Sequence, residues 1–173
     1  MRKVGLPFLA LCVGLAFGAP ARAQAPATVP DQMPFDIPYG PSISADKASQ
    51  VVAAAVAEAK KSPRNWKLAI AVVDPNGDLV YFYKMDQTQV ASIGIAQGKA
   101  RTAARFRRSS GAFFNLMQTP AGAFAPTLDP TLVASLGGLP IVEGGKIIGA
   151  IGCSGATGAQ DEVACKAGAD TIK

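Results

Sequence analysis

The chain has 173 residues, with 17 lysines and arginines against 12 aspartates and glutamates, and it contains no histidine. This length fits one ordinary domain, and a hydrophobic content of 49% is enough for a core, which excludes a wholly disordered chain. The absence of histidine excludes Ser-His-Asp and Cys-His catalysis, as well as zinc and haem sites that rely on histidine ligands.

The first 23 residues predict a signal peptide. A basic start at Arg2-Lys3 is followed by an apolar run, and Ala21-Arg22-Ala23 forms an A-x-A cleavage site. Cleavage after Ala23 removes three positive charges and lowers the formal net charge from +5 to +2. We therefore expect a soluble periplasmic or secreted protein with no membrane span after cleavage, and no nucleic acid as partner.

The two cysteines that follow the signal segment are Cys153 and Cys165. An even number of cysteines in an oxidising compartment favours a disulfide. Two buried thiols are the alternative that the sequence leaves open.

Prolines recur every three or four residues over 24–43, which predicts an extended arm and forbids a helix there. The arm is expected to lie across the domain or a neighbouring subunit. Residues 44–173 are expected to form a single domain.

Elements of the first half of this domain follow from hydrophobic periodicity. Apolar residues at helical spacing begin after Ser44, a good N-cap, and stop before Pro63, which predicts a helix over 44–62. The turn Asp74-Pro75-Asn76-Gly77 lies between two apolar runs and predicts a β-hairpin. Its strands are expected at 68–73 and 79–84.

A second helix is expected over 88–108, with one basic stripe formed by Arg101, Arg105 and Arg108. After it we expect a short helix at 110–118, an irregular stretch at 119–136, strands at 138–142 and 146–153, and a helix at 158–172. Antiparallel hairpins separated by helices predict an α+β domain with a central antiparallel sheet of about five strands and helices on its faces.

Three features of the sequence are candidate sites, and each has a plainer interpretation. The basic stripe and Lys99 could pair with an anionic ligand, or could form a solvated helix face. The glycine-rich turn 152–158 could hold an anion, although tight turning explains its glycines equally well. Met85 could ligate a haem iron, or could simply pack in the core.

Three blocks in order resemble the GlcG/HbpS family of haem-binding proteins, which is similar to the C-terminal domain of PduO-type cobalamin adenosyltransferases. The blocks are AIAVVDPNGDLVYFYKMD, IAQGKARTAARF and GGLPIVEGGKIIGAIGCSGATGAQDEVACKAGAD. The resemblance covers about residues 44–172. It implies a profilin-like fold of α/β/α layers with a five-stranded antiparallel sheet, homo-oligomers, and haem or a related tetrapyrrole as ligand.

On this resemblance we expect an exported, non-catalytic binding protein whose partner is a tetrapyrrole or a small anionic ligand. The residues expected to form its pocket are Met85, Asp86, Lys99, Thr102, Arg105, Gly137, Gly138 and Ser154. Haem would bind without histidine, and the basic residues would take its propionates.

Two other functions remain open at the level of the sequence. One is a small accessory enzyme or carboxylate-binding factor of a periplasmic dehydrogenase system, in which Asp86, Lys99 and Asp161 would be acid or base groups. The other is a structural oligomer that binds no ligand.

Overall fold

The structure is a computed structural model that describes residues 35–63 and 65–173. The expected signal peptide at 1–23 and the first part of the arm, 24–34, lie outside the described residues. The residues at the expected boundary between arm and domain, 43 and 44, are described, whereas those at the expected cleavage site are not.

Five helices, one 3-10 helix and four strands follow one another along the described chain. They are α1 (Ala45–Lys61), β1 (Ala69–Val73), β2 (Leu79–Lys84), α2 (Ser92–Arg105), α3 (Gly111–Leu116), the 3-10 helix (Pro120–Phe124), α4 (Ala125–Leu128), β3 (Gly138–Glu143), β4 (Lys146–Ser154) and α5 (Gly158–Ala169). Among these described helices, none is long and apolar enough to cross a membrane.

The sheet of the described chain has four strands in the order β2-β1-β4-β3, and every neighbouring pair is antiparallel. The expectation of a mixed α+β fold with an antiparallel sheet is confirmed, but the expectation of five strands is wrong. The two hairpins supply all four strands of the described sheet, and the stretch 119–136, expected to be irregular, contains the 3-10 helix and α4.

The described part of the arm makes one isolated parallel bridge to β4, between Tyr39 and Ile147. The Gly40 amide donates to the Ile147 carbonyl at 2.8 Å, and the Ile147 amide donates to the Pro38 carbonyl at 2.9 Å. Pro38 and Pro41 lack an N–H group, so they cannot extend this pairing into a fifth strand.

The two faces of the sheet pack against different helices. One face carries larger aliphatic residues and meets α1 and α5, around residues such as Val51, Ile70 and Ile151. The other face carries alanines and meets α2. A Cβ atom at Gly152 would lie 2.1 Å from the Ala96 carbonyl oxygen, so this glycine lets the α2 backbone lie directly on β4.

The second helix is shorter than the 88–108 expected from the sequence. Gln87, with φ of 63°, lies in a turn before α2, and Arg107, with φ of 54°, ends the helical path after Arg105. Both are left-handed conformations that a helix cannot contain. The basic stripe is therefore divided, because Arg101 and Arg105 lie within α2 and Arg108 lies beyond it.

Candidate functional site

A buried ion pair joins α2 to the first turn of α5. The Lys99 ammonium lies 2.8 Å from Oδ2 of Asp161, and the two side chains are only 2% and 3% exposed. Lys99 also donates to the Cys153 carbonyl at 2.9 Å, and Oδ1 of Asp161 accepts from the Ala156 amide at 3.0 Å. Lys99 is thus committed to protein partners in the interior.

Burial raises the pKa of Asp161, because desolvation disfavours the carboxylate. The hydrogen bond and the charge of Lys99, and then the Ala156 amide, act in the opposite direction. The carboxylate is tolerated in the interior only because both of its oxygens have a partner.

Cys153 and Cys165 form a disulfide that joins the end of β4 to α5. Both residues are fully buried. The expected pairing of these cysteines is confirmed. The crosslink lies next to the ion pair, since the carbonyl of Cys153 is also the acceptor for Lys99.

An open cleft of about 700 Å³ lies at the end of the sheet where β1 begins and β4 ends. We call it the sheet-end cleft. It is lined by Ser62, Pro63, Asn65, Trp66, Lys67, Gln87, Gln89, Gly155, Ala156, Thr157 and Gln160. This volume is within the range of sites for small molecules and cofactors. Among its described residues are one aromatic side chain, one cation and four carboxamides.

Two residues of this lining have strained backbones. Asn65 has φ of 49° and Gln87 has φ of 63°, both in the left-handed region. In addition, Oδ1 of Asn65 is buried and has no hydrogen-bond partner among the described residues. Strained residues and unsatisfied polar atoms are costly, and they concentrate at functional sites.

None of the residues expected to form the pocket is in the lining of the sheet-end cleft, although three of them, Met85, Asp86 and Ser154, lie within two positions of a lining residue in the sequence. Met85 packs in the hydrophobic core at 6% exposure, and Asp86 is exposed directly before Gln87. Ser154 is buried beside Gly155, and its hydroxyl donates to Ser92 at 3.2 Å.

Other expected residues lie along or beyond α2. The Thr102 hydroxyl accepts from the Val133 amide at 3.0 Å in the interior. Arg105 is at the other end of the helix, about 20 Å from Ser92 by the rise of an α-helix. It forms a 2.7 Å ion pair with Asp129 and lines a second cleft of about 560 Å³ beside the arm.

Gly137 and Gly138 have packing roles at the start of β3. Gly137 has φ of 102°, and a Cβ atom there would lie 2.8 Å from the Cβ of Asp161. A Cβ atom at Gly138 would lie 2.4 Å from the Lys99 carbonyl oxygen. Both glycines therefore allow the chain to close around the buried ion pair.

The sequence did not indicate Trp66, Lys67 or Gln87 as pocket residues. They stand outside the helices and strands, and only the fold brings together the two short segments that carry them. The segment 62–67 could have indicated part of the site. It is a connection between the first helix and the first strand that contains a proline, an asparagine and a tryptophan, and binding residues are frequent on such loops.

The arrangement of the sheet and helices agrees with known proteins. The model of the family described as "Haem degrading protein HbpS-like" matches residues 43–170, which is more than half of the chain. The chain belongs to the HbpS-like family. Protein GlcG of Escherichia coli (strain K12) is 41% identical over 112 residues, which cover 65% of this chain and 81% of that protein.

Solved structures of the family share this architecture. A crystal structure of a double mutant of Streptomyces reticuli HbpS has a TM-score of 0.68 at 27% identity, and the match covers 87% of this chain and 99% of that one. A crystal structure of PduOC in complex with haem has a TM-score of 0.69 at 22% identity, covering 76% of this chain and 96% of that one. The second likeness shows the fold alone.

Proposed function

We propose that the chain is an exported, non-catalytic binding protein for haem or a related tetrapyrrole, and that the sheet-end cleft is its binding site. The observation that carries the proposal is the combination of HbpS-like membership with a cleft of about 700 Å³ beside the Met85-Asp86 segment. The solved complex of PduOC with haem supports the choice of ligand.

The lining of the cleft fits a tetrapyrrole held by its ring and its carboxylates. Trp66 supplies apolar surface for a planar ring, and Lys67 has no ion-pair partner among the described residues, so it is available for a propionate. The fit to the iron is weaker, because the described residues of the lining include no cysteine, methionine or tyrosine and the whole sequence contains no histidine.

Met85 offers a thioether, but its side chain packs in the core. The proposal therefore gives the iron no sulfur or imidazole ligand from the described lining, and assigns Lys67 to a propionate. Asp86 is an exposed carboxylate directly before the lining residue Gln87. Recognition would depend mainly on the porphyrin ring and its propionates.

Titration of the purified mature protein with ferric haem, followed by the Soret band, tests the proposal. We expect a saturable spectral change at micromolar haem, and its absence would overturn the haem assignment. Metal-free protoporphyrin IX should bind within a few-fold of haem, because no side-chain ligand to iron is lost. Met85→Leu should leave the haem spectrum unchanged.

Lys67→Met is expected to weaken haem binding several-fold, since it removes one charge-assisted contact to a carboxylate. Lys146→Met is the matched control, because Lys146 begins β4 at the opposite end of the sheet. Equal affinity of the two variants would place the ligand outside the sheet-end cleft.

A small carboxylate is the second candidate ligand. Among the described residues of the lining Lys67 is the only charged one, and Asn65, Gln87, Gln89 and Gln160 add hydrogen-bonding amides. This second candidate would be supported if the protein binds neither haem nor protoporphyrin but a small hydroxy acid raises its melting temperature.

We propose in addition that the protein acts as a homo-oligomer after export. The segment of α3, the 3-10 helix and α4 exposes Phe114, Met117, Phe124 and Leu128, and such a patch is unusual on a monomer. Native mass spectrometry of protein from its own periplasm would report the subunit number and the bound ligand. The subunit mass should correspond to a chain that begins at Gln24.

A further inference from the structure

The turn between β4 and α5 forms one wall of the sheet-end cleft. Gly155, Ala156 and Thr157 of this turn line the cleft directly. A Cβ atom at Gly155 would lie 2.0 Å from the Lys67 carbonyl oxygen, and φ of this glycine is 145°. The turn therefore lies against the backbone of the segment that carries Trp66 and Lys67, and its position determines how the two walls meet.

The buried ion pair holds this turn at two points. Asp161 accepts the Ala156 amide at 3.0 Å on one carboxylate oxygen, and binds Lys99 at 2.8 Å on the other. Lys99 in turn donates to the Cys153 carbonyl at 2.9 Å. One pair of side chains thus fixes residues on both sides of Ser154 and Gly155.

Two further contacts make α5 a rigid base for this arrangement. Thr157 and Gln160 form a reciprocal capping box at the start of the helix, and the disulfide joins Cys153 to Cys165 on its second half. Because these two contacts hold the helix independently of the ion pair, we expect a change at Asp161 to act mainly on the turn.

We propose that Asp161 and Lys99 are positioning residues of the sheet-end cleft. They hold the wall formed by Gly155, Ala156 and Thr157 in the geometry that accepts the ligand, without contacting the ligand themselves. This inference rests on the proposed function of the cleft and extends it to residues that lie behind its surface.

Two double variants separate this role from a purely structural one. Lys99→Met with Asp161→Asn removes both charges and retains an oxygen acceptor for the Ala156 amide. Lys99→Met with Asp161→Leu also removes both charges, with a side chain of similar shape, but offers no acceptor. Haem affinity, thermal unfolding and hydrogen exchange of the Ala156 amide would be measured for both.

We expect the leucine double variant to bind haem about tenfold more weakly than the asparagine double variant, as the loss of one buried hydrogen bond predicts. Its Ala156 amide should also exchange faster. If the leucine variant does not fold, Lys99→Met with Asp161→Ala replaces it, since alanine lacks the acceptor and adds no bulk.

Equal haem affinities of the two double variants, with haem binding by the wild-type protein, would overturn the positioning role alone. Failure of the wild-type protein to bind haem would overturn the proposed function, and the positioning role with it. A third outcome would also count against the positioning role: the leucine variant binds haem more weakly and melts at a lower temperature, but its Ala156 amide does not exchange faster.

Discussion

Replacement of Lys99 by methionine tests the energetics of the buried ion pair most directly. Methionine has nearly the same length and fills the same space, so that packing is conserved and the charge is lost. The variant leaves the Asp161 carboxylate, 3% exposed, with only the Ala156 amide as partner. Removing one partner of a buried pair costs about 3–5 kcal/mol in unfolding free energy.

For a domain of this size, a loss of that magnitude lowers the melting temperature by roughly 10–15 °C. Differential scanning calorimetry at neutral pH would measure it. The double variant Lys99→Met with Asp161→Asn should recover most of the loss, because it leaves no charge in the interior.

The effect of pH on the Lys99→Met variant has a definite sign. Burial raises the pKa of Asp161, and removal of Lys99 takes away the largest opposing influence. A carboxyl group with a raised folded-state pKa destabilises the protein above that pKa, and the penalty shrinks as the pH falls through it. The stability difference from wild type should therefore decrease as the pH falls from neutral through the raised pKa of Asp161. A cost below about 1 kcal/mol, or one independent of pH, would refute this account of the pair.

Three further predictions concern the surrounding structure. Replacing Cys153 and Cys165 together by alanine should cost about 3 kcal/mol, as chain entropy predicts for a short loop, measured by urea unfolding. Gly152→Ala should cost about 1–3 kcal/mol because its Cβ would meet the α2 backbone, whereas the control Gly94→Ala, with open space around it, should be neutral or stabilising in the same assay. Hydrogen bonds from Thr131, and then the charges of Arg105 and Arg101, lower the pKa of Asp129. The stability that this carboxylate contributes is therefore complete above about pH 4 and is lost as the pH falls further. In Asp129→Asn, the free energy of unfolding should depend less steeply on pH below that value.

Local patterns were sufficient for most of the elements. Ser44 as N-cap and Pro63 as terminator placed α1 within one residue at each end, and the strands of both hairpins agree within one residue. These elements are determined by neighbouring residues and by alternation, which the sequence displays directly.

The arrangement of these elements was harder to predict. The expected number of five strands was wrong because the sequence patterns indicate only four strand segments, and the stretch 119–136, which was expected to be irregular, contains two short helices. The partner of Lys99 was equally hidden, since Asp161 lies 62 positions away and meets it only after α2 and α5 pack near the same end of β4. Such contacts depend on tertiary packing, which a single sequence does not display.

The candidate site shows how packing changes the interpretation of a charged residue. Lys99 looked like a ligand for propionates because it lies among small residues in a cation-rich helix, but the fold commits it to Asp161 and Cys153. In the positioning role proposed above, Lys99 acts from behind the wall of the cleft, and Lys67 is the described cation of the lining. A ligand with two propionates would therefore meet one described cation in the sheet-end cleft, so most of its affinity would have to come from burial of the ring against surfaces such as Trp66. The porphyrin plane, and not the iron, is therefore the principal feature that the proposed site would recognise.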